Sequence, residues 1–122
     1  MKKFKVVVLG ASDKPHRYSY KAVKMLKEKG YEVIPVNPNV KSIDGLKVYS
    51  SLDILEETVD TISIYLSPEK LTPLLPKITE IHPRRVILNP GSGTLAIEQK
   101  LMKAGILVEQ DCTLIMLSSN TF

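Results

Sequence analysis

Short runs of β-branched apolar residues alternate along this chain with stretches whose apolar positions recur every three or four residues, the pattern of strands alternating with helices. Phe4 to Leu9 is nearly all apolar, as a central parallel strand covered on both faces requires, and Gly10 ends it. A helix is predicted from Tyr18 or Ser19 to Lys29, with Ala22, Val23 and Leu26 on its buried stripe and Gly30 as its stop. Glu32 to Val36 is the second strand, followed by turn chemistry in Asn37-Pro38-Asn39. Ile43 to Tyr49 is a connection with a tight turn at Asp44-Gly45, and Ser50 or Ser51 is placed to cap a short helix from Leu52 to Glu57. Thr61 to Leu66 is the third strand.

In the second half, Ser67 caps a helix that has Pro68 at its first position and runs towards Ile81. Pro73 and Pro76 interrupt it, so either a kink or a start delayed to about Thr72 is expected. Arg85 to Leu88 is the fourth strand and runs into a second small-residue loop, Asn89 to Thr94. A helix from Leu95 to Lys103, ended by Gly105, and a fifth strand from Ile106 to Glu109 follow. Cys112 to Leu117 reads as a last short helix, with Ser118 to Phe122 as a loose end. The sum is a Rossmann-like three-layer α/β/α fold with a five-stranded parallel sheet of order 3-2-1-4-5, in a single domain over residues 1–122. In that order strands one and four are neighbours where the winding reverses, so the two small-residue loops are expected to open into one crevice.

Composition agrees and narrows the function. With 122 residues, 43% hydrophobic and 25% charged, the chain is of ordinary globular size and composition. The apolar run after the basic start is too short for a secretory signal or a membrane span, so a cytosolic protein is expected. One cysteine and two distant histidines leave no disulfide framework and no metal set. The net charge of +4 is uneven: residues 1–50 carry eleven Lys/Arg against four Asp/Glu, and residues 51–122 six against nine. No dense basic run with interleaved aromatics points to nucleic acid.

The excess positive charge falls in the half that holds the turn Gly10-Ala11-Ser12-Asp13-Lys14-Pro15-His16-Arg17. A glycine turn between a buried strand and a helix start is a phosphate-binding architecture, because small residues admit close backbone approach and the first N–H groups of a helix favour an anion. Lys14, Arg17 and Lys21 add full charges there, and Arg17 suits bidentate phosphate binding. The dinucleotide pattern G-x-G-x-x-G is incomplete, since Ser12 and Pro15 hold the second and third glycine positions. Asn37 stands where an NAD site places a carboxylate for the ribose, and Lys41 shortly after suits a ribose phosphate better. An NAD(P)-binding redox sensor or cut-down oxidoreductase is therefore the alternative rather than the first reading. With no nucleophile–base pair, carboxylate pair or metal set in the sequence, no catalysis is assigned.

Val8-Leu9-Gly10-Ala11-Ser12, Arg17-Tyr18-Ser19-Tyr20, Gly30 to Pro38 and Asn89-Pro90-Gly91 together resemble the small stand-alone CoA-binding domain proteins, which are similar to the CoA-binding domain of the succinyl-CoA synthetase α subunit. The resemblance spans nearly the whole chain. It implies CoA or an acyl-CoA as ligand, with the first turn at the CoA phosphates, the end of strand two near the adenosine, and the loops after strands three and four lining the same groove. Carried over by position, the residues it implies are Gly10, Ala11, Ser12, Arg17 and Tyr20, then Asn37 and Pro38, then Leu66 and Pro68, then Pro90 and Gly91; Lys14 and Lys41 join them on charge. Many relatives carry Asp-Arg-Cys near the C-terminus, where this chain has Asp111-Cys112-Thr113. The synthetase's phosphorylated histidine belongs to a further domain, so the resemblance implies no ligase chemistry here. Cys112 is open to two readings, a buried core thiol or a mixed disulfide with the CoA thiol. Tyr18 and Tyr20 either pack on the first helix or frame the ligand. A partner chain that completes the site, or a second copy of this one, is compatible with the sequence.

Overall fold

A computed structural model describes residues 4–55 and 58–122. The chain runs β1 (Lys5–Leu9), α1 (Tyr18–Glu28), β2 (Glu32–Val36), then a two-stranded hairpin of β3 (Ser42–Ile43) and β4 (Leu46–Lys47). Asp44 and Gly45 both take positive φ at the tip, as a two-residue hairpin turn demands. Next come β5 (Thr61–Ile64), α2 (Pro68–Leu71), α3 (Leu75–Ile81), β6 (Arg85–Leu88), α4 (Leu95–Lys103), β7 (Leu107–Gln110) and α5 (Thr113–Ser118). The prolines break the predicted third helix into α2, a 3-10 turn over Thr72–Leu74, and α3, so the interruption takes the form of a break. Ser51 caps a 3-10 turn over Leu52–Ile54; Glu56 and Glu57, the end of the helix expected there, lie outside the described residues.

Five parallel strands form the main sheet in the order β2-β1-β5-β6-β7. Outside β2, Tyr49 makes a single parallel bridge to Val36, donating to the Pro35 carbonyl and accepting from the Asn37 N–H, both at 2.9 Å. That lone bridge holds the outer place that the 3-2-1-4-5 winding gives to a third strand. The Rossmann-like winding is therefore present, but Thr61–Ile64 occupies the place next to β1 rather than the outer one. The reason is burial: all four residues of β5 are buried, as befits a strand between two others, whereas the Tyr49 segment is too short to show alternation. Strands one and four of the expected order, β1 and β6, are not neighbours. The loop that meets the β1 turn is the one after β5, and the loop after β6 lies one strand further away.

Alternation along β1 divides the core. Val6 and Val8 face a layer with Val23 and Leu26 of α1 and Leu117 of α5, while Val7 and Leu9 face a larger layer built with α3 and α4. The C-terminal residues are not a loose end. The Phe122 ring meets Tyr31 edge-on at 5.1 Å, and the Arg85 guanidinium lies 4.5 Å from it. Arg85 is only 6% exposed and also donates to Thr61 Oγ1 and to Glu109, so its buried charge is surrounded by partners. No helix among the described residues is long and apolar enough to cross a membrane.

Candidate functional site

At the carboxyl ends of β1, β2 and β5 the sheet opens into a crevice with two lobes, where ligands of open α/β sheets bind. Gly10 sits at its floor. Its N–H and that of Ala11 donate to the Val36 carbonyl at 3.0 and 3.2 Å, and the Tyr65 N–H donates to the Leu9 carbonyl at 2.9 Å, tying the turn to both neighbours. Gly10 has φ +88°, and a Cβ there would stand 2.9 Å from Leu66 Cδ2 and 3.1 Å from the Tyr65 carbonyl oxygen. Only glycine fits that conformation and space.

The polar lobe, about 400 Å³, lies over the start of α1 and is lined by Ser12, Lys14, Arg17, Tyr18 and Ser19, with Tyr65 opposite. The start of α1 is left open. Arg17 is extended at the N-cap and makes no capping bond, and the first turn has no acidic residue. Ser12 instead braces the turn, donating its N–H to Ser19 Oγ at 3.1 Å and accepting from the Lys14 N–H at 3.1 Å. Among the described residues, the positive end of this eleven-residue helix therefore faces the lobe with no side-chain cap and no carboxylate in its first turn. Among the described residues, Lys14, Arg17 and Lys70 carry no ion pair.

The second lobe, about 430 Å³ and mostly apolar, is lined by Leu9, Val36, Pro38, Asn39, Ser50, Ser51, Leu52 and Leu74. Gly10, Asn37, Leu66 and Lys70 border both lobes and mark their junction. Asn37 is fixed there: its Nδ2 donates to the Ala11 carbonyl at 2.7 Å and its Oδ1 accepts from the Asn39 N–H at 2.8 Å. This amide shapes the loop and presents no carboxylate to a ribose.

Behind the polar lobe, burial pushes the Tyr65 phenol up to about 12, with Cys112 nearby adding to the rise. Among the described residues its hydroxyl has no hydrogen-bond partner, while the Thr113 and Ser63 hydroxyls, bonded to each other at 2.8 Å, offset part of that rise. Cys112 is half-buried at the N-cap of α5, not deep in the core.

Of the residues singled out from sequence, Gly10, Ser12, Lys14, Arg17, Asn37, Pro38 and Leu66 line the crevice. Ala11 is fully buried beneath it and contributes only backbone. Tyr20 lines a separate groove between α1 and α5. Lys41 is exposed, borders neither lobe, and accepts the Val48 N–H at its carbonyl. Pro68, Pro90 and Gly91 also border neither lobe. The loop after β6 is tied to its neighbours instead: Asn89 Nδ2 donates to Ser63 Oγ and the Ile64 carbonyl, both at 2.9 Å, and its Oδ1 accepts from the Thr113 N–H. Ser92 donates to the Ile64 carbonyl, and Thr94 caps α4 through the Ile97 N–H at 3.2 Å. Sequence reasoning missed Lys70, Tyr65 and the Ser50–Leu52 wall. The resemblance pointed to their loop through Leu66 and Pro68, but only the position of β5 beside β1 singles out Tyr65 and Lys70 within it.

A parallel sheet with a crossover on each face and a crevice over its glycine turn defines a Rossmann-type α/β ligand-binding domain. Residues 5–118 match the model of the family described as CoA binding domain, and the chain belongs to that family. It is 36% identical over 67 residues to the protein YneT of Bacillus subtilis, covering 55% of this chain and 50% of that one. It is also 36% identical over 66 residues to the α subunit of an ADP-forming acetate–CoA ligase II from Pyrococcus furiosus, covering 53% of this chain and 14% of that subunit. The match thus spans half of one curated relative and about a seventh of the other. A crystal structure of an uncharacterized protein aligns over 100% of both chains with a TM-score of 0.93 at 34% identity.

Proposed function

We propose that this protein is a binding module for CoA or an acyl-CoA, with the ligand in the two-lobed crevice. The observation that carries the reading is the uncapped start of α1, which faces the polar lobe with Lys14 and Arg17 beside it. A diphosphate laid there meets free first-turn N–H groups, the helix dipole and two full charges together. The adenine then occupies the mostly apolar lobe beside Pro38 and Leu52, whose volume lies in the usual range for small-molecule sites. Membership of the CoA binding domain family supports the choice of ligand, and Asn37 in place of a carboxylate speaks against NAD. Ligase activity, as named for the Pyrococcus relative, is not part of the proposal.

Calorimetric titration with CoA, dephospho-CoA, NAD and NADP in parallel tests it. CoA binding without a response to either nicotinamide cofactor is the expected result. NAD binding with no CoA response would overturn the ligand assignment, and silence from all four would overturn the reading of this chain as a CoA-binding module.

A further inference from the structure

We propose that Lys70 is the residue that makes the crevice distinguish a ligand with a phosphate on its ribose from one without. The inference rests on the CoA reading and goes beyond it by naming the group that selects the ligand. Its basis is position. If the diphosphate lies at the start of α1 and the adenine in the apolar lobe, the ribose that links them falls at the junction. Gly10, Asn37, Leu66 and Lys70 form that junction. Gly10 has no side chain, Leu66 is apolar, and both ends of the Asn37 amide are already hydrogen-bonded within the loop. Lys70 is left as the one charged side chain bordering both lobes, exposed at the end of α2 and, among the described residues, without an ion pair.

An ammonium group on a flexible stem is a mobile point charge suited to a phosphate monoester, which carries more negative charge than each phosphate of a diphosphate. Lys41, which the sequence offered for this task, borders neither lobe. Lys14 and Arg17 border the polar lobe alone, so they serve the diphosphate that CoA and dephospho-CoA share. Selection by the 3′-phosphate is thereby assigned to a side chain from the β5 loop region rather than from the end of β2.

The test compares CoA with dephospho-CoA in wild type, Lys70→Ala, Lys70→Arg, Lys41→Ala and Lys100→Ala by calorimetry. Lys100 is exposed on α4, borders neither lobe, and controls for the loss of one positive charge. In wild type CoA should bind about tenfold more tightly than dephospho-CoA, the scale of one charge-assisted contact. Lys70→Ala should erase most of that preference while leaving dephospho-CoA affinity within about twofold, and Lys70→Arg should retain most of it. Lys41→Ala and Lys100→Ala should leave the preference intact. A Lys70→Ala protein that still prefers CoA as strongly as wild type, or that weakens both ligands equally, overturns the assignment of Lys70 while the CoA reading survives. Binding of neither ligand to wild type overturns both. Because Lys70 is exposed, thermal unfolding of the variant should match wild type and rule out misfolding as the cause.

Discussion

The loop after β1 and the loop after β6 share a description: each follows a buried strand, contains glycine, serine and proline, and leads into a helix. Their polar groups are used differently. In the loop after β6, Asn89 is 2% exposed and three of its hydrogen bonds reach β5 and α5, Ser92 adds another, and Thr94 caps α4 with Glu98 in the first turn. In the loop after β1, the serine pair supports the turn, while the helix start is uncapped and flanked by cations. A small-residue loop before a helix is thus no sign of a ligand site in itself. What matters is whether the helix start is already satisfied from within the protein.

The largest expected effect falls on the loop after β6. Asn89→Ala removes hydrogen bonds from three buried partners and should destabilise the fold by about 2–4 kcal/mol, read by urea denaturation. A loss under about 0.5 kcal/mol would mean that the loop is not the internal brace described here. Arg17→Ala should do the reverse, weakening CoA binding by about 1.5–3 kcal/mol in calorimetry with stability within about 0.5 kcal/mol of wild type. Unchanged affinity would remove Arg17 from the site.

Two smaller changes exchange the roles of the helix starts. Thr94→Ala deletes the α4 cap and should cost about 1 kcal/mol of stability with little effect on ligand. Arg17→Asp supplies α1 with the cap it lacks, and should stabilise the protein by about 0.5–1 kcal/mol while weakening CoA more than Arg17→Ala does. If both properties fell together, the idea that this helix start is left open for an anion would lose its support. The smallest effect lies at the far end of the sheet. Burial alone would raise the Asp60 carboxyl, but hydrogen bonds from Arg84 and Thr61 and the charges of Arg84 and Arg85 outweigh it and hold the group below its usual 3.8. Its contribution to stability is therefore full above 3.8 and is lost as pH falls through the lower folded value. The stability gap between wild type and Asp60→Asn should narrow in acid, and a gap that widened there would contradict this account.

Much of this was legible in the sequence, for reasons the structure makes plain. β2, β6 and α4 have the bounds expected because a glycine or proline stands two residues beyond an end of each: Gly30 and Pro38, Pro83 and Pro90, and Gly105. The place of β5 was hidden because the outer strand of the winding is reduced to one bridge at Tyr49, too short for any periodicity. From that one shift came the rest: Leu66 lies beside Gly10, as the resemblance implied, but Lys70 came to the junction with it, and Pro90 and Gly91 moved away. Phe122 looked like a loose end because its partners, Tyr31 and Arg85, are brought to it only by the fold.

The most direct test of the contrast between the two loops is an amide chemical-shift titration of the labelled protein with CoA. The account predicts shifts concentrated at residues 10–20, at Asn37 and at residues 65–70, with residues 89–94 nearly still. Shifts centred on residues 89–94, with the start of α1 unmoved, would contradict it.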